Sequence, residues 1–295
     1  MQLGPRFIST LAALALAGCG GSSGGAAPTG VGAGGGTVDH LYFAVLGDTR
    51  PAVMDDTSGY PTSTITGIYR DIQAMSPRPQ FAVATGDYMF ASTTGTQAQP
   101  QMDLYLAARS AYSGTVFAAM GNDECDGTTA GDCTPGQTPN YDAFMSGLVA
   151  PLGQSAPYYA VKIGAADASW TAKLVVIACN AWSATQQSWL TAELASPTTY
   201  TIVVQHDPAS VPTAPCVTAT AALLAQSPYD LLLAGHLATF AFVPPNELVV
   251  GNGGAPLLGS SIDFGYVTVE KVAAGWQVVL YDQATALPVT TLSVP

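Results

Sequence analysis

Short apolar runs alternate with helix-like segments along most of this chain, and run after run stops at a small polar cluster. The runs at 41–46 (LYFAVL), 81–84 (FAVA) and 116–120 (VFAAM) lead into Gly47-Asp48-Thr49-Arg50, Gly86-Asp87-Tyr88 and Gly121-Asn122-Asp123-Glu124. Those at 200–204 and 231–234 lead into Gln205-His206-Asp207 and Gly235-His236-Leu237-Ala238. Continuous apolar runs of this length suit strands buried on both faces. Segments at 62–75, 101–112, 139–149 and 186–194 carry helical spacing, and 158–163 and 173–178 read as further strands. The remainder turns to β, with runs near 239–243, 247–251, 264–270, 275–282 and 286–293. Strands alternating with helices predict a βαβ core, and the β-rich end predicts a second sheet packed on the first. In such sheets ligands bind beyond the carboxyl ends of the strands, which is where the polar clusters fall.

Taken one at a time, these clusters are ordinary turn chemistry, since Gly-Asp and Gly-Asn often follow strands. Together they are a donor set. The chain has only 3 His, and two of them, His206 and His236, end core strands. Asp, Asn and His supply the oxygen and nitrogen atoms that divalent Fe, Mn or Zn accepts. A glycine beside a donor lets the backbone approach without a Cβ in the way. No P-loop is present, and no Gly-x-Ser-x-Gly follows a strand-like run as a nucleophile elbow would.

The ordered series resembles the calcineurin-like metallophosphoesterases, a family that includes purple acid phosphatases. Their pattern is Asp-x-His, Gly-Asp, Gly-Asn-His-Asp/Glu, a lone His, then Gly-His-x-His, and the match spans roughly 42–238. The segment Gly251-Asn252-Gly253-Gly254-Ala255-Pro256 also resembles a glycine-rich stretch of secreted members. The resemblance implies an α/β fold, a four-layer α/β/β/α sandwich of two mixed β-sheets flanked by helices. It implies metal-dependent hydrolysis of small phosphorylated substrates. Carried over by position, Asp87 would bridge two metals, with Asn122, His206 and His236 completing one site and Asp48 belonging to the other.

The pattern is broken in places. Arg50 and Ala238 stand where the family has His ligands, and Asp123 replaces the His near the leaving group, while Glu124 keeps the acidic position after it. Arginine has donors only and cannot ligate a cation. The expectation is therefore one transition-metal ion (Fe, Mn or Zn, divalent or trivalent) held by Asp87, Asn122, His206 and His236. Arg50 would pair with Asp48 or with a substrate oxygen. Asp123 would act as a proton donor if burial raises its pKa, or would have no such role; both readings stand here. The broken positions also leave a second function open, a non-catalytic pseudo-phosphoesterase serving as a ligand-binding surface protein.

Charge and cysteines bear on place and partners. A net charge of −12, from 20 acids against 8 bases, argues against nucleic-acid binding, which needs Lys and Arg against phosphates. Any phosphate site must be locally electropositive, through a metal, an arginine or backbone amides. Arg6, the apolar run at 7–17, and Leu16-Ala17-Gly18-Cys19 resemble a lipoprotein export signal, with Cys19 the lipidated residue. The expected division is a signal peptide at 1–18, a flexible Gly-rich tether at 19–37 and the phosphoesterase-like domain at 38–295. That places the protein in the cell envelope, periplasmic or surface-exposed, touching the membrane only through its lipid, and a monomer by default. The four other cysteines allow three pairings in an oxidising compartment. Cys125 with Cys133, flanking a short polar loop, is the expected local pair, leaving Cys179 with Cys216.

Overall fold

The computed structural model describes residues 27–125, 133–259 and 263–295. Cys19, the export signal and the first part of the tether lie outside the described residues. In chain order, β1 (Gly30–Gly32) and β2 (Gly35–Val38) precede β3 (Tyr42–Leu46), α1 (Thr62–Ala74), β4 (Phe81–Ala84), α2 (Ala98–Arg109), β5 (Thr115–Ala118) and α3 (Pro139–Phe144). There follow β6 (Tyr159–Ala165), β7 (Thr171–Val176), α4 (Ala184–Ala195), β8 (Tyr200–Val204), α5 (Val217–Leu224) and β9 (Leu231–Ala234). Last come β10 (Phe240–Val243), β11 (Glu247–Val250), β12 (Gly265–Val272), β13 (Gly275–Asp282) and β14 (Leu287–Val294).

The strands form two mixed sheets. One runs β1-β2-β6-β7-β8-β9-β11-β10 and the other β14-β13-β12-β3-β4-β5. The period-two alternation of side chains explains how they stack. On β3, Phe43 and Val45 enter the apolar layer between the sheets, where they meet Phe81, Val83, Leu174, Val176, Val204 and Leu233. The alternate residues Ala44 and Leu46, with Ala82, Ala84 and Ala118, face outward to α1, α2 and α3. Small alanines on that face let helices approach the sheet closely. On the far side, Val175, Val203 and Leu232 meet Leu190 and Leu194 of α4 and Val217 and Leu224 of α5. The result is the expected four layers, helix, sheet, sheet, helix. α1 shows the local cause: Ile65, Ile68, Tyr69 and Ile72 recur at i, i+3, i+4 and i+7 and are its buried face.

Two sequence expectations need correction. Of the segment expected as a tether (19–37), residues 30–32 and 35–37 are strand: β1 and β2 form a hairpin, and β2 pairs in parallel with β6 through Gly36, Thr37 and Val38. Glycine richness favours flexibility in a free chain, but here it permits close backbone approach. A Cβ on Gly36 (φ +154) would collide with the Gly30 carbonyl, and one on Gly35 (φ +99) with that of Lys162. The helix expected over 139–149 is α-helical only to Phe144 and continues as a π turn over Met145–Val149. Among the described residues no helix is long and apolar enough to cross a membrane.

Candidate metal centre

β3, β4 and β5 run parallel in one sheet, as do β7, β8, β9 and β11 in the other. The loops after β3, β4, β5, β8 and β9 carry Asp48, Asp87, Asn122, His206 and His236 respectively. Backbone hydrogen bonds tie these loops together. The Asp48 amide donates to Gly86 O (3.0 Å), the Thr49 amide to Asp87 O (2.9 Å) and the Gly235 amide to His206 O (2.8 Å). The glycine-rich segment after β11 backs the first loop, with the Ala255 amide donating to Asp48 O at 2.7 Å.

The donor atoms converge. His206 Nε2 lies 3.1 Å from Asn122 Oδ1 and 3.3 Å from Asp87 Oδ1. His236 Nδ1 lies 2.8 Å from Asn122 Oδ1 and 3.3 Å from His206 Nε2. Donors bound to one ion at about 2.1 Å in a tetrahedron sit about 3.4 Å apart, and these four distances, short enough also for hydrogen bonds between the side chains, are close to that spacing. Asp48 adjoins it: one ligand atom each from Asp48, Asp87 and His206 lies within 4.8 Å of the others, all three residues buried.

The hydrogen bonding also fits a cation. Nδ1 of His206 lies 2.8 Å from the Thr85 carbonyl, which can only accept, so Nδ1 carries the proton. In the neutral ring, Nε2 then aims its lone pair at a carboxylate oxygen and an amide oxygen, an arrangement that only a proton or a metal ion resolves. Burial alone would lower the His206 pKa, but the Asp87 carboxylate against it turns the balance and raises it well above the usual value. The Asp48 carboxyl is pushed well up by burial and by Asp87, and its Oδ2 is buried with no hydrogen-bond partner. Gly235 and Gly251 close over that oxygen; a Cβ on Gly235 would lie 2.8 Å from it. Five carboxyl groups (Asp48, Asp87, Asp123, Glu124 and Asp207) crowd a region whose ion pairs include a single arginine. A divalent cation would relieve that repulsion.

Backbone strain collects at the same place. Asp48 (φ 54), Asp87 (φ 57) and His236 (φ 67) adopt left-handed conformations. Such conformations are unfavourable for residues with a Cβ and tend to persist where a site needs them.

Arg50 departs from expectation. Its pairing with Asp48 is not found; Nε instead lies 2.8 Å from Asp123 Oδ2 and 3.5 Å from Asp87 Oδ2. The guanidinium stacks on Phe90, 4.7 Å from the ring centroid. The carboxylates of Asp123 and Asp87 thus compete for one guanidinium. Asp123 is pushed up to about 9, by burial first and then by Asp87, with Arg50 opposing.

Several contributors had no individual sequence signal. The Thr85 carbonyl orients His206, and a backbone oxygen leaves no mark in a sequence. Glu124, noted only as a retained acid, binds the loops together. Its Oε2 accepts from the Asp87 and Gly121 amides (3.0 and 2.7 Å) and its Oε1 from the Tyr88 amide (2.7 Å). Asp207 follows His206 with no family position to mark it, yet its carboxylate is buried 3.7 Å from His236. Ala238 is buried and carries no donor. Cys125 is joined to Cys133 and Cys179 to Cys216, so the first bridge closes the loop directly after Glu124. Beside Asn122 and Asp123 opens a cavity of about 280 Å³, walled by Met54, Phe90 and Ala91 with Ser92 and Thr93.

No family model matches this chain, and no curated protein matches it. Solved structures do. One is GAP50, the anchor in the inner membrane complex of Plasmodium, with 15% identity over 87% of this chain and 89% of that one, at a TM-score of 0.62. At that identity the likeness is one of fold. Also similar are a 5'-nucleotidase from Candida albicans (12% identity, 84% of this chain and 52% of that one, TM-score 0.48) and the phosphoesterase YfcE from E. coli (10%, 86% and 100%, TM-score 0.42).

Proposed function

We propose that this protein is a single-metal hydrolase of phosphate esters, of the calcineurin-like type, exported and lipid-anchored in the cell envelope. The observation that carries the reading is the convergence of Asp87 Oδ1, Asn122 Oδ1, His206 Nε2 and His236 Nδ1, neighbouring atoms lying 2.8–3.3 Å apart. Those four residues would hold one Fe, Mn or Zn ion, with Asp48 beside it. Bound there, such an ion supplies a Lewis acid that activates water and polarises a phosphoryl oxygen.

The chain's own groups supply the rest. Arg50 keeps Nε on Asp123 and leaves part of its guanidinium fork for phosphate oxygens, which it can meet in bidentate fashion. It is the local positive charge that an anionic ester needs on a chain of net charge −12. Asp123, its carboxyl raised by burial and by Asp87, can keep a proton near neutral pH and deliver it to a departing alkoxide. The cavity beside Asn122 and Asp123 would take the organic part of the ester. The substrate is thus a small phosphorylated molecule, and a net charge of −12 argues against nucleic acid.

The two disulfides suit an oxidising compartment and so support export. Lipidation at Cys19, attachment to the membrane only by that lipid, and a monomeric state complete the proposal.

Two observations favour a second reading, a binding protein without turnover. Arg50 holds Asp123 in an ion pair at 2.8 Å, which favours the ionised carboxylate over one that carries a proton for a leaving group, and Ala238 removes a ligand. GAP50, similar in fold, is described as an anchor.

The experiment measures bound metal and hydrolysis of generic phosphomonoesters and phosphodiesters by wild type, His206→Ala, and the double variant Arg50→His with Ala238→His. Turnover in wild type that His206→Ala abolishes supports the hydrolase. Turnover seen only in the double variant supports the binding protein. Two ions per wild-type chain at full occupancy would overturn the single-metal centre.

A further inference from the structure

The Arg50 guanidinium is drawn by two carboxylates at once. Nε lies 2.8 Å from Asp123 Oδ2 and 3.5 Å from Asp87 Oδ2. The rest of the fork is little used. Nη1 donates to the Pro51 carbonyl at a long 3.4 Å, and among the described residues Nη2 has no hydrogen bond. A flexible arm so placed can turn more of its fork onto a carboxylate, in the bidentate manner that such pairs favour, unless something fixes the guanidinium.

Phe90 is placed to fix it. Its ring faces the guanidinium, with Cζ 4.7 Å from the centroid. The residue stands outside any strand or helix, yet both of its main-chain polar groups are held. Its amide donates to Gln101 Oε1 at 2.7 Å, and its carbonyl accepts from Gln101 Nε2 at 3.3 Å and from the Asp55 amide at 2.8 Å. Gln101 is fully buried on α2 and gives both ends of its side-chain amide to this one loop residue. Asp55 in turn accepts from the Ser92 amide at 2.8 Å, which secures the chain just beyond the ring. A cation resting on a ring whose backbone is already immobile is ordered before its ligand arrives. Phe90 also walls the cavity beside Asn122 and Asp123, so the ring that carries the guanidinium borders the space assigned to the organic part of the ester.

We propose that Phe90 is a positioning residue for phosphate: its ring holds the Arg50 guanidinium so that Nη1 and Nη2 stay available to phosphate oxygens instead of turning onto Asp123 and Asp87. This rests on the reading that Arg50 meets the phosphate of an ester held at the metal centre. The ring acts through the negative charge of its face, so weakening that charge weakens phosphate binding even where shape is kept.

The test titrates inorganic phosphate by calorimetry into the full-length protein in MnCl₂. The proteins are wild type, Phe90→Leu, Arg50→Met, the double variant, and a protein with ring-fluorinated phenylalanine at position 90, which keeps the ring's shape and weakens its negative face. Phosphate affinity is expected to fall about fivefold in Phe90→Leu and about twofold in the fluorinated protein, the scale of a partly exposed cation–ring contact. It is expected to fall no further when Phe90→Leu is added to Arg50→Met. Should Phe90→Leu not fold, the fluorinated protein and its Arg50→Met counterpart carry the comparison. An equal fall with and without Arg50 would assign the ring to the cavity wall or the fold and overturn the proposal, as would unchanged affinity in both ring variants. Arg50→Met with wild-type affinity, or wild type that binds no phosphate, removes instead the reading of Arg50 on which the proposal rests.

Discussion

Replacing His236 with glycine separates what the metal centre demands from what the fold demands. The ring is only partly covered, its side chain 29% exposed, and its backbone is left-handed at φ 67. A left-handed residue bearing a Cβ is strained by about 1 kcal/mol or slightly more. Glycine removes that strain but returns roughly 0.5–1 kcal/mol to the unfolded chain as freedom. Those two terms favour the metal-free variant by up to about 0.5 kcal/mol, and loss of the His236–Asn122 hydrogen bond costs it about 1 kcal/mol, so it should lie within about 1 kcal/mol of wild type. With metal the gap widens. An ion at 100 times its dissociation constant stabilises the wild type by about 2.7 kcal/mol. For a chain of this length that is a rise of about 5 °C in midpoint, taking roughly 2 °C per kcal/mol. Loss of a supporting partner can already weaken a metal site up to about 100-fold, so loss of a donor is expected to do at least as much. At the same ion concentration the variant then gains only about 0.4 kcal/mol, or about 1 °C. Scanning calorimetry of both proteins, in chelator and in ZnCl₂ or MnCl₂, reads the four midpoints. Equal metal-induced shifts would show that His236 is no donor, and a drop of several degrees in chelator would show that its ring supports the fold.

The loop framework yields further expectations. Glu124→Gln turns an acceptor toward the Tyr88 amide into a donor, so a charge-assisted bond is lost and two N–H groups oppose each other. The cost is expected to be about 2–3 kcal/mol, measurable by urea unfolding, and unchanged stability would mean the three amide contacts do not hold the loops. Opening the disulfides by serine replacement should cost about 2.5 kcal/mol for Cys125–Cys133 and about 3.8 kcal/mol for Cys179–Cys216 on the loop-closure estimate. The ordering follows from sequence separations of 8 and 37, and denaturant midpoints falling in the reverse order would refute it.

Local periodicity made much of this architecture readable from the chain. Doubly buried strands such as β4 leave unbroken apolar runs, α1 repeats its buried residues every third and fourth position, and donors stand just past strand ends because parallel sheets open their ligand crevice there. Asp48, Asp87, Asn122, His206 and His236 could thus be singled out, and the two cysteine pairs with them. Tertiary structure alone decided where Arg50 pairs, since Asp48, Asp87 and Asp123 are all plausible partners until the loops are stacked. It also decided that the glycines at 30, 32, 35 and 36 pair in strands at a sheet edge, that Glu124 gathers three amides, and that Asp207 turns toward His236. These outcomes depend on distances between segments remote along the chain. A two- or four-residue repeat is written into neighbouring positions, but the meeting of one loop with another is set only when two sheets pack face to face.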